Sequence, residues 1–255
     1  MPKLWTFGDS FTAGHGMNGE IPEYPNADSN AIWPILLSNK LNFDLENLGK
    51  NGMTVESIVN NVLNCIDKFK PDDIVIIESS MIGRFDVPSN DVNFDNAKLK
   101  PIQIHANLLD TQYNPYLKHF TKSEYGIIIS FFETFILDGY YYNASLTNLL
   151  NICKHLHKHN IVKKVIYWNL APITTSSNLL AIQPFKNMNV INPFYLKSNS
   201  EYNSKDFGWA RIFYEQKLTI TADTDGKIVD EHPSKYGHFL FSELLYSAIL
   251  NNKII

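Results

Sequence analysis

A chain of 255 residues is long enough for one domain with a sizeable core. Its 44% hydrophobic and 19% charged residues are typical of a globular protein and exclude a disordered one. A net charge of −4 argues against a nucleic-acid-binding protein, which would carry a basic face. No apolar run approaches the roughly 18 residues of a membrane helix and no signal peptide is recognisable, so we expect a cytoplasmic protein without a membrane span.

The N-terminal third alternates between strand-like and helix-like segments. Three segments are apolar or weakly alternating and predict strands: Lys3–Phe7, Phe43–Leu48 and Ile74–Ile77. Two segments carry apolar residues at helical spacing: Asn30–Leu41 and Thr54–Phe69. Pro34 fits the first of these helices only in its first turn. Cys65 and Cys153 lie in helix-like stretches and read as buried apolar side chains, not as a disulfide or a zinc site.

The rest of the chain continues the alternation. The predicted elements are a helix from Asn143, a buried strand over Val162–Trp168, a hairpin over Lys217–Val229 that turns at Asp225, and a helix over Ser234–Leu250. Residues 86–140 lack a clear period and are interpreted as an irregular insertion or lid. The alternation predicts a single α/β domain over 1–255, with a parallel sheet and helices on both of its faces.

In such a sheet, ligands bind at the carboxyl ends of the strands. The loops that follow the predicted strands should therefore share one edge, and this brings together Ser10, Gly52 and Ser80.

A serine and a histidine at opposite ends of the chain suggest nucleophilic chemistry. Ser10 directly follows the first predicted strand, and a serine hydroxyl needs a base within hydrogen-bonding reach to become a nucleophile. His232 lies just before the last predicted helix, and Asp230 is close enough in sequence to fix its tautomer. The structural alternative is that Asp9 or Ser10 merely caps the helix after the strand.

Three sequence blocks resemble those of the SGNH (GDSL-type) hydrolases: Gly8–Gly14, Asn47–Thr54 with its N-x-G-x-x-G pattern, and Asp230–His238. They occur in the family's order and span nearly the whole chain. The resemblance implies a three-layer α/β/α sandwich with a flavodoxin-like parallel sheet, and ester hydrolysis through an acyl-serine. Ser10 would be the nucleophile, His232 the base, and Asp230 the residue that orients the base.

The resemblance also implies an oxyanion hole built from the backbone N–H groups of Ser10 and Gly52. The family's third block carries an asparagine as a further donor, but this chain has no asparagine there. Ser80 is the candidate replacement, which indicates a divergent branch of the family.

Asp9 and Arg84 are candidates for contact with the substrate. The structural alternative for Arg84 is an ion pair with Glu78 or Asp86.

These implications predict an esterase for short acyl groups, in particular O-acetyl groups, on a small molecule or a carbohydrate, with no metal or organic cofactor. The aromatic residues of the insertion are candidates for stacking on sugar rings: Phe131, Phe132, Tyr140, Tyr141 and Tyr142.

Two alternatives stay open. One is a catalytically weak or inactive SGNH-like module that binds glycans or serves in an assembly, including a viral one. The other is a dinucleotide-binding protein, because Gly14, Gly16 and Gly19 spell G-x-G-x-x-G. In that motif the first glycine directly follows a strand and a helix begins at the motif, whereas six residues separate Phe7 from Gly14 here.

Overall fold

The protein is built around a parallel sheet. The computed structural model describes residues 1–21, 24, 27–80, 84–87, 102–105, 121, 123, 126–127, 130, 140–169, 189–190, 213, 216–221 and 228–251. The strands are β1 (Lys3–Phe7), β2 (Asp44–Asn47), β3 (Ile74–Ser79), β4 (Arg84–Val87), β5 (Ile102–His105), β6 (Lys164–Asn169), β7 (Asn189–Val190), β8 (Thr219–Thr221) and β9 (Ile228–Pro233). The helices are α1 (Ser10–Ala13), α2 (Trp33–Leu41), α3 (Val55–Leu63), α4 (Tyr140–Lys158) and α5 (Lys235–Asn251), with 3₁₀ turns at Ser29–Ala31 and Ile66–Lys68.

Five strands pair in parallel in the order β2-β1-β3-β6-β7. Leu4 of β1 lies level with Leu45 of β2 and Ile74 of β3, which sets the register at the centre of the sheet. Counted among themselves, these strands follow the doubly wound order 2-1-3-4-5, whose direction of winding changes between the first and third strands. The predicted α/β class and flavodoxin-like sheet are confirmed. Ligands of such sheets bind where the direction of winding changes, which is here between β1 and β3.

Helices cover both faces of the sheet because the side chains of its central strands alternate between two apolar layers. Trp5 and Val75 belong to the core cluster formed with α3 and α4. Their neighbours Leu4 and Ile74 belong to the cluster formed with α2 and α5. The three-layer α/β/α arrangement is therefore confirmed.

Some predicted boundaries agree with the structure and others differ, among them the start of α2, which lies at Trp33 instead of Asn30. Lys3–Phe7 is a strand as predicted, and Pro34 lies in the first turn of α2. The helix predicted over Thr54–Phe69 ends at Leu63 and continues as a 3₁₀ turn, while Phe69 still packs edge-on against Trp5 with ring centroids 5.1 Å apart.

β3 extends beyond its predicted apolar run to Ser79, because the side chains of Glu78 and Ser79 are buried along with it. Cys65 and Cys153 are buried free thiols, in agreement with the sequence.

Two antiparallel pairs flank the sheet: β4 with β5, and β8 with β9. The β8–β9 pair confirms the hairpin predicted over Lys217–Val229, although its turn at Asp225 lies outside the described residues. Most of the predicted insertion 86–140, including Phe131 and Phe132, also lies outside them, as do the side chains of Tyr140–Tyr142. None of the described helices is long and apolar enough to cross a membrane.

The glycine-rich segment after β1 forms turns. Gly14 ends α1 in the left-handed conformation, with φ of 80°, and Gly16 and Gly19 also have positive φ. A dinucleotide fingerprint needs a helix that begins at its glycines, so that the helix N-terminus meets the pyrophosphate. Here α1 precedes the glycines and ends at the first of them, so the structural context of that fingerprint is missing.

Candidate active site

The turn between β1 and α1 carries Ser10. Asp9 is the N-cap of α1, and its carboxylate accepts a hydrogen bond of 3.0 Å from the backbone N–H of Phe11. Ser10 is the first residue of the helix and lies at the carboxyl edge of β1. Asp9 therefore fills the capping role that the sequence left open, and the Ser10 hydroxyl is available for another partner.

That partner is His232, which is 222 residues away in the sequence. The Nε2 atom of His232 lies 2.7 Å from Ser10 Oγ. On the other side of the ring, Nδ1 contacts Asp230 Oδ1, which also accepts a hydrogen bond of 2.8 Å from the backbone N–H of His232. The structure thus brings together the three residues predicted as nucleophile, base and orienting carboxylate.

The carboxyl group of Asp230 has its pKa below the ordinary value. Partial burial works in the opposite direction, but hydrogen bonds from the ring and backbone of His232 outweigh it and stabilise the carboxylate. Asp230 is therefore ionised at neutral pH, and an ionised carboxylate beside Nδ1 favours the tautomer in which Nε2 is free to accept a proton.

His15 lies beside this arrangement and was not singled out from the sequence. Its ring centroid is 4.5 Å from that of His232, and its Nε2 is 3.9 Å from Asp230 Oδ2. Its other nitrogen lies 3.0 Å from both Glu20 Oε2 and Asn51 Nδ2. Among the residues described, His15, Asp230 and His232 could hold a metal ion, with ligand atoms within 4.8 Å of one another.

The second block packs against α1 through two close contacts. Asn47 donates a hydrogen bond of 3.1 Å to the backbone carbonyl of Thr12, while its side-chain oxygen accepts one of 3.0 Å from Gly49 N–H. A Cβ at Gly49 would lie 2.7 Å from the backbone nitrogen of Ala13, so this approach requires glycine. Gly52 follows in the same loop with φ of 77°.

Ser80 follows β3, and its hydroxyl is engaged beneath Ser10. It donates a hydrogen bond of 3.1 Å to Asp9 Oδ2 and accepts one of 3.0 Å from Arg84 Nη1. A hydroxyl has a single hydrogen, so donation to an oxyanion requires that hydrogen to turn away from Asp9. The oxyanion roles of Ser80 and Gly52 stay predictions.

Arg84 pairs with Asp9, a partner that the sequence did not suggest. Arg84 Nη1 lies 2.5 Å from Asp9 Oδ2, and the Asp9 side chain has no exposed surface. Arg84 and Ser80 therefore occupy the Asp9 carboxylate in this structure, and its contact with a substrate stays a prediction. Arg84 keeps 14% of its side chain exposed, and its contact with a substrate stays a prediction.

Glu78 was not singled out from the sequence as a site residue, and it forms a buried polar group under Ser10 together with Asp9, Thr12, Ser80 and Arg84. It is fully buried near the end of β3, with Asp9 and Thr12 as its neighbours. The signal in the sequence was a single acidic residue directly after four consecutive β-branched residues.

No family model matches this chain, and no curated protein sequence is significantly similar to it. Solved structures that resemble it include the psychrotrophic esterase EstA from Pseudoalteromonas sp., at 15% identity and a TM-score of 0.46 over 98% of both chains. A member of the lipolytic protein G-D-S-L family from Veillonella parvula has 15% identity and a TM-score of 0.44, with 98% of this chain and 97% of that chain covered.

A catalytic mutant of Axe2, an acetylxylan esterase from Geobacillus stearothermophilus, has 15% identity and a TM-score of 0.41, with 96% of this chain and 92% of that chain covered. Likenesses this distant do not carry chemistry from one protein to another. The function of this chain has to follow from its own residues.

Proposed function

We propose that this protein is a serine esterase that hydrolyses short acyl esters through an acyl-serine intermediate. The observation that carries the proposal is the 2.7 Å contact between Ser10 Oγ and His232 Nε2. A hydroxyl becomes a strong nucleophile when an adjacent base takes its proton, and a third group that orients the base completes the arrangement. Asp230 is that third group.

The reaction proceeds in two halves. Ser10 Oγ bonds to the ester carbonyl carbon while its proton passes to His232 Nε2, and Asp230 stabilises the resulting imidazolium. His232 then gives the proton to the alcohol oxygen as the C–O bond breaks, which leaves acyl-Ser10. In the second half His232 takes a proton from water, the hydroxide attacks the acyl carbon, and Ser10 regains its proton as the carboxylic acid leaves.

Negative charge develops on the carbonyl oxygen in both halves. We assign the backbone N–H groups of Ser10 and Gly52 as its hydrogen-bond donors, with the Ser80 hydroxyl as a third once its hydrogen turns from Asp9. The first N–H of a helix has no acceptor within the helix, which leaves that of Ser10 free for this role. One donor of this kind contributes about 10²- to 10³-fold to kcat.

The substrate is assigned as a short ester, in particular an O-acetyl group on a carbohydrate. Ser10 is only 4% exposed, and an enclosed nucleophile favours a small acyl group over a long chain. The carbohydrate part of the assignment is supported by the family that the sequence blocks resemble. Comparison of p-nitrophenyl acetate with p-nitrophenyl octanoate as substrates tests the preference for a short acyl group. Acetate release from an acetylated xylo-oligosaccharide tests the assignment of a carbohydrate ester.

The decisive experiment compares wild type, Ser10→Ala and His232→Ala on p-nitrophenyl acetate. Both substitutions should lower kcat by at least about a thousandfold. Ser247→Ala and His155→Ala make the same chemical changes at exposed positions of α5 and α4, and they should leave kcat unchanged.

A fluorophosphonate should label Ser10 in the wild type and leave Ser10→Ala unlabelled. A folded wild type that is inert on a panel of acyl esters and unlabelled by the fluorophosphonate would overturn the proposal in favour of a non-catalytic binding module.

A further inference from the structure

Among its described residues, the buried polar group beneath Ser10 contains two acidic side chains, Asp9 and Glu78, and one basic side chain, Arg84. Asp9 and Glu78 are both wholly buried, and within the described part of the chain Arg84 is the cation that faces them, from β4. Two ionised carboxylates beside one guanidinium would leave a net negative charge in the protein interior, which is strongly unfavourable. One retained proton makes the group neutral.

The hydrogen bonds distinguish the two carboxyl groups. Asp9 accepts from Phe11 N–H on Oδ1 and from Ser80 and Arg84 on Oδ2, the pattern of an ionised carboxylate. At Glu78, both donors converge on a single oxygen: the backbone N–H of Asp9 at 3.3 Å and the hydroxyl of Thr12 both meet Oε2.

The other oxygen of Glu78, Oε1, is buried, and no group of the described residues forms a hydrogen bond with it. A neutral carboxylic acid has this form, with one oxygen that accepts and one that carries a hydrogen. Burial raises the pKa of Glu78 well above its ordinary value, and the charge of Asp9 and hydrogen bonding between the two carboxyl groups add to this. Thr12 and Arg84 act in the opposite direction.

We propose that Glu78 is a positioning residue that stays protonated at neutral pH, and that its neutral carboxyl group holds Asp9 and thereby the turn that carries Ser10. The proton resides on Oε1, while Oε2 accepts from the backbone N–H of Asp9 and from the hydroxyl of Thr12 on α1. Glu78 touches no reacting atom; it acts through the residue that precedes the nucleophile. The effect on Ser10 rests on the proposed esterase function, whereas the protonation state does not.

The test uses Glu78→Gln, whose neutral amide has nearly the same shape and keeps one acceptor oxygen, with an NH₂ group in place of the protonated oxygen. A carboxyl group with a raised pKa in the folded protein destabilises it as pH rises above the ordinary value of 4.5. Glu78→Gln removes this effect. The Tm of the variant minus that of wild type should therefore increase from pH 4.5 to pH 8, by about 2 °C or more.

The opposite sign would overturn the proposal. If Glu78 were ionised and stabilised by Arg84, the variant would lose stability relative to wild type over the same range. A constant Tm difference would overturn it as well. Glu46→Gln is the matched control, because this glutamate lies at the surface with 43% of its side chain exposed and pairs with Lys3.

Measurements of kcat distinguish a positioning role of Glu78 from a contribution to packing alone. Glu78→Gln should keep kcat within about threefold of wild type, whereas Glu78→Leu, of similar size but without polar atoms, should lower kcat at least about tenfold with little change in KM. A Glu78→Leu variant with wild-type kcat would overturn the positioning role. A Tm series that behaves as expected in a protein with no esterase activity would overturn the proposed function and leave the protonation state intact.

Infrared spectroscopy of the wild type is a second measurement, and it does not depend on the folding of any variant. The infrared band of a protonated carboxyl group should persist in wild type above pH 7, and its absence there would overturn the proposal.

Discussion

Asp230 lies between two histidines. Its Oδ1 contacts the ring of His232, and its Oδ2 is 3.9 Å from Nε2 of His15. The backbone hydrogen bond from His232 to the same carboxylate fixes its position within the strand β9. A carboxylate held in this way sets both the orientation and the tautomer of the His232 ring.

Asp230→Asn should lower kcat by about 10³- to 10⁴-fold at neutral pH with little change in KM. The new amide donates to Nδ1 of His232, so the ring proton moves to Nε2 and the base can no longer accept from Ser10. Steady-state kinetics on p-nitrophenyl acetate measure this. Asp28→Asn makes the same change at a surface pair with Lys235 and should leave kcat unchanged. A loss of less than tenfold in Asp230→Asn would show that the carboxylate does not orient the base.

The residues of the site differ in how far the sequence revealed them. Ser10, Asp230 and His232 lie in short blocks whose chemistry is legible locally, and the structure brings them together. His15 and Glu78 belong to no such block, and their contacts with Asp230 and Asp9 span more than 60 positions of sequence. No spacing rule along one element predicts contacts of that kind.

At the scale of elements, the turn from β1 to α1 depends on Gly8. A Cβ at this position would lie 2.2 Å from Glu78 Oε2 and 2.3 Å from Thr12 Oγ1. Neither partner is the free end of an exposed side chain, since both are buried and hydrogen-bonded to each other. The absence of a Cβ at Gly8 therefore leaves room for the Glu78 side chain, near the end of β3, beneath the turn.

Gly8→Ala should destabilise the protein by about 1–3 kcal/mol, as overpacking of a close-packed interior does. It should also lower kcat, because the turn that carries Ser10 must shift. Urea unfolding and p-nitrophenyl acetate kinetics measure the two effects. Gly126→Ala is the control, because no atom of the described residues, chain neighbours aside, lies within 4 Å of the added Cβ. Equal stability of both variants would mean that the turn tolerates the extra methyl group.

Element types were easier to predict than element ends. The strand β3 was predicted to end at Ile77, because an apolar run was the only available signal, yet Glu78 and Ser79 continue it. The apolar spacing of α3 continued to Phe69, but the chain tightens into a 3₁₀ turn after Leu63 while its apolar residues keep facing the same core. Hydrophobic spacing reports which face is buried, and it does not report the hydrogen bonding of the last turn.

At the scale of the whole molecule, His238 joins two elements of one outer layer. It is wholly buried on α5, and its Nδ1 accepts a hydrogen bond of 3.3 Å from the backbone N–H of Trp33 at the start of α2. Burial lowers the pKa of His238 to about 3, and the nearby His232 contributes in the same direction. The ring is therefore neutral in the folded protein.

This burial predicts a loss of stability in acid. In the unfolded chain His238 takes up a proton below about pH 6.5, whereas in the folded protein it does so only near pH 3. Stability is thus fully present above pH 6.5 and falls as pH decreases toward 3, by up to about 1.4 kcal/mol per pH unit. His238→Asn, whose oxygen takes the place of Nδ1, should flatten that slope.

Urea unfolding at several pH values measures the slope, and the exposed His155→Asn is the control. Identical pH dependence in wild type and His238→Asn would contradict the assignment, whatever the absolute stability of the variant.

The placement of His232 on β9 has a consequence for protein synthesis. Because Ser10 and His232 are 222 positions apart, translation delivers the serine long before the histidine. Under the proposed function, Ser10 has no base until β9 has been synthesised and has folded.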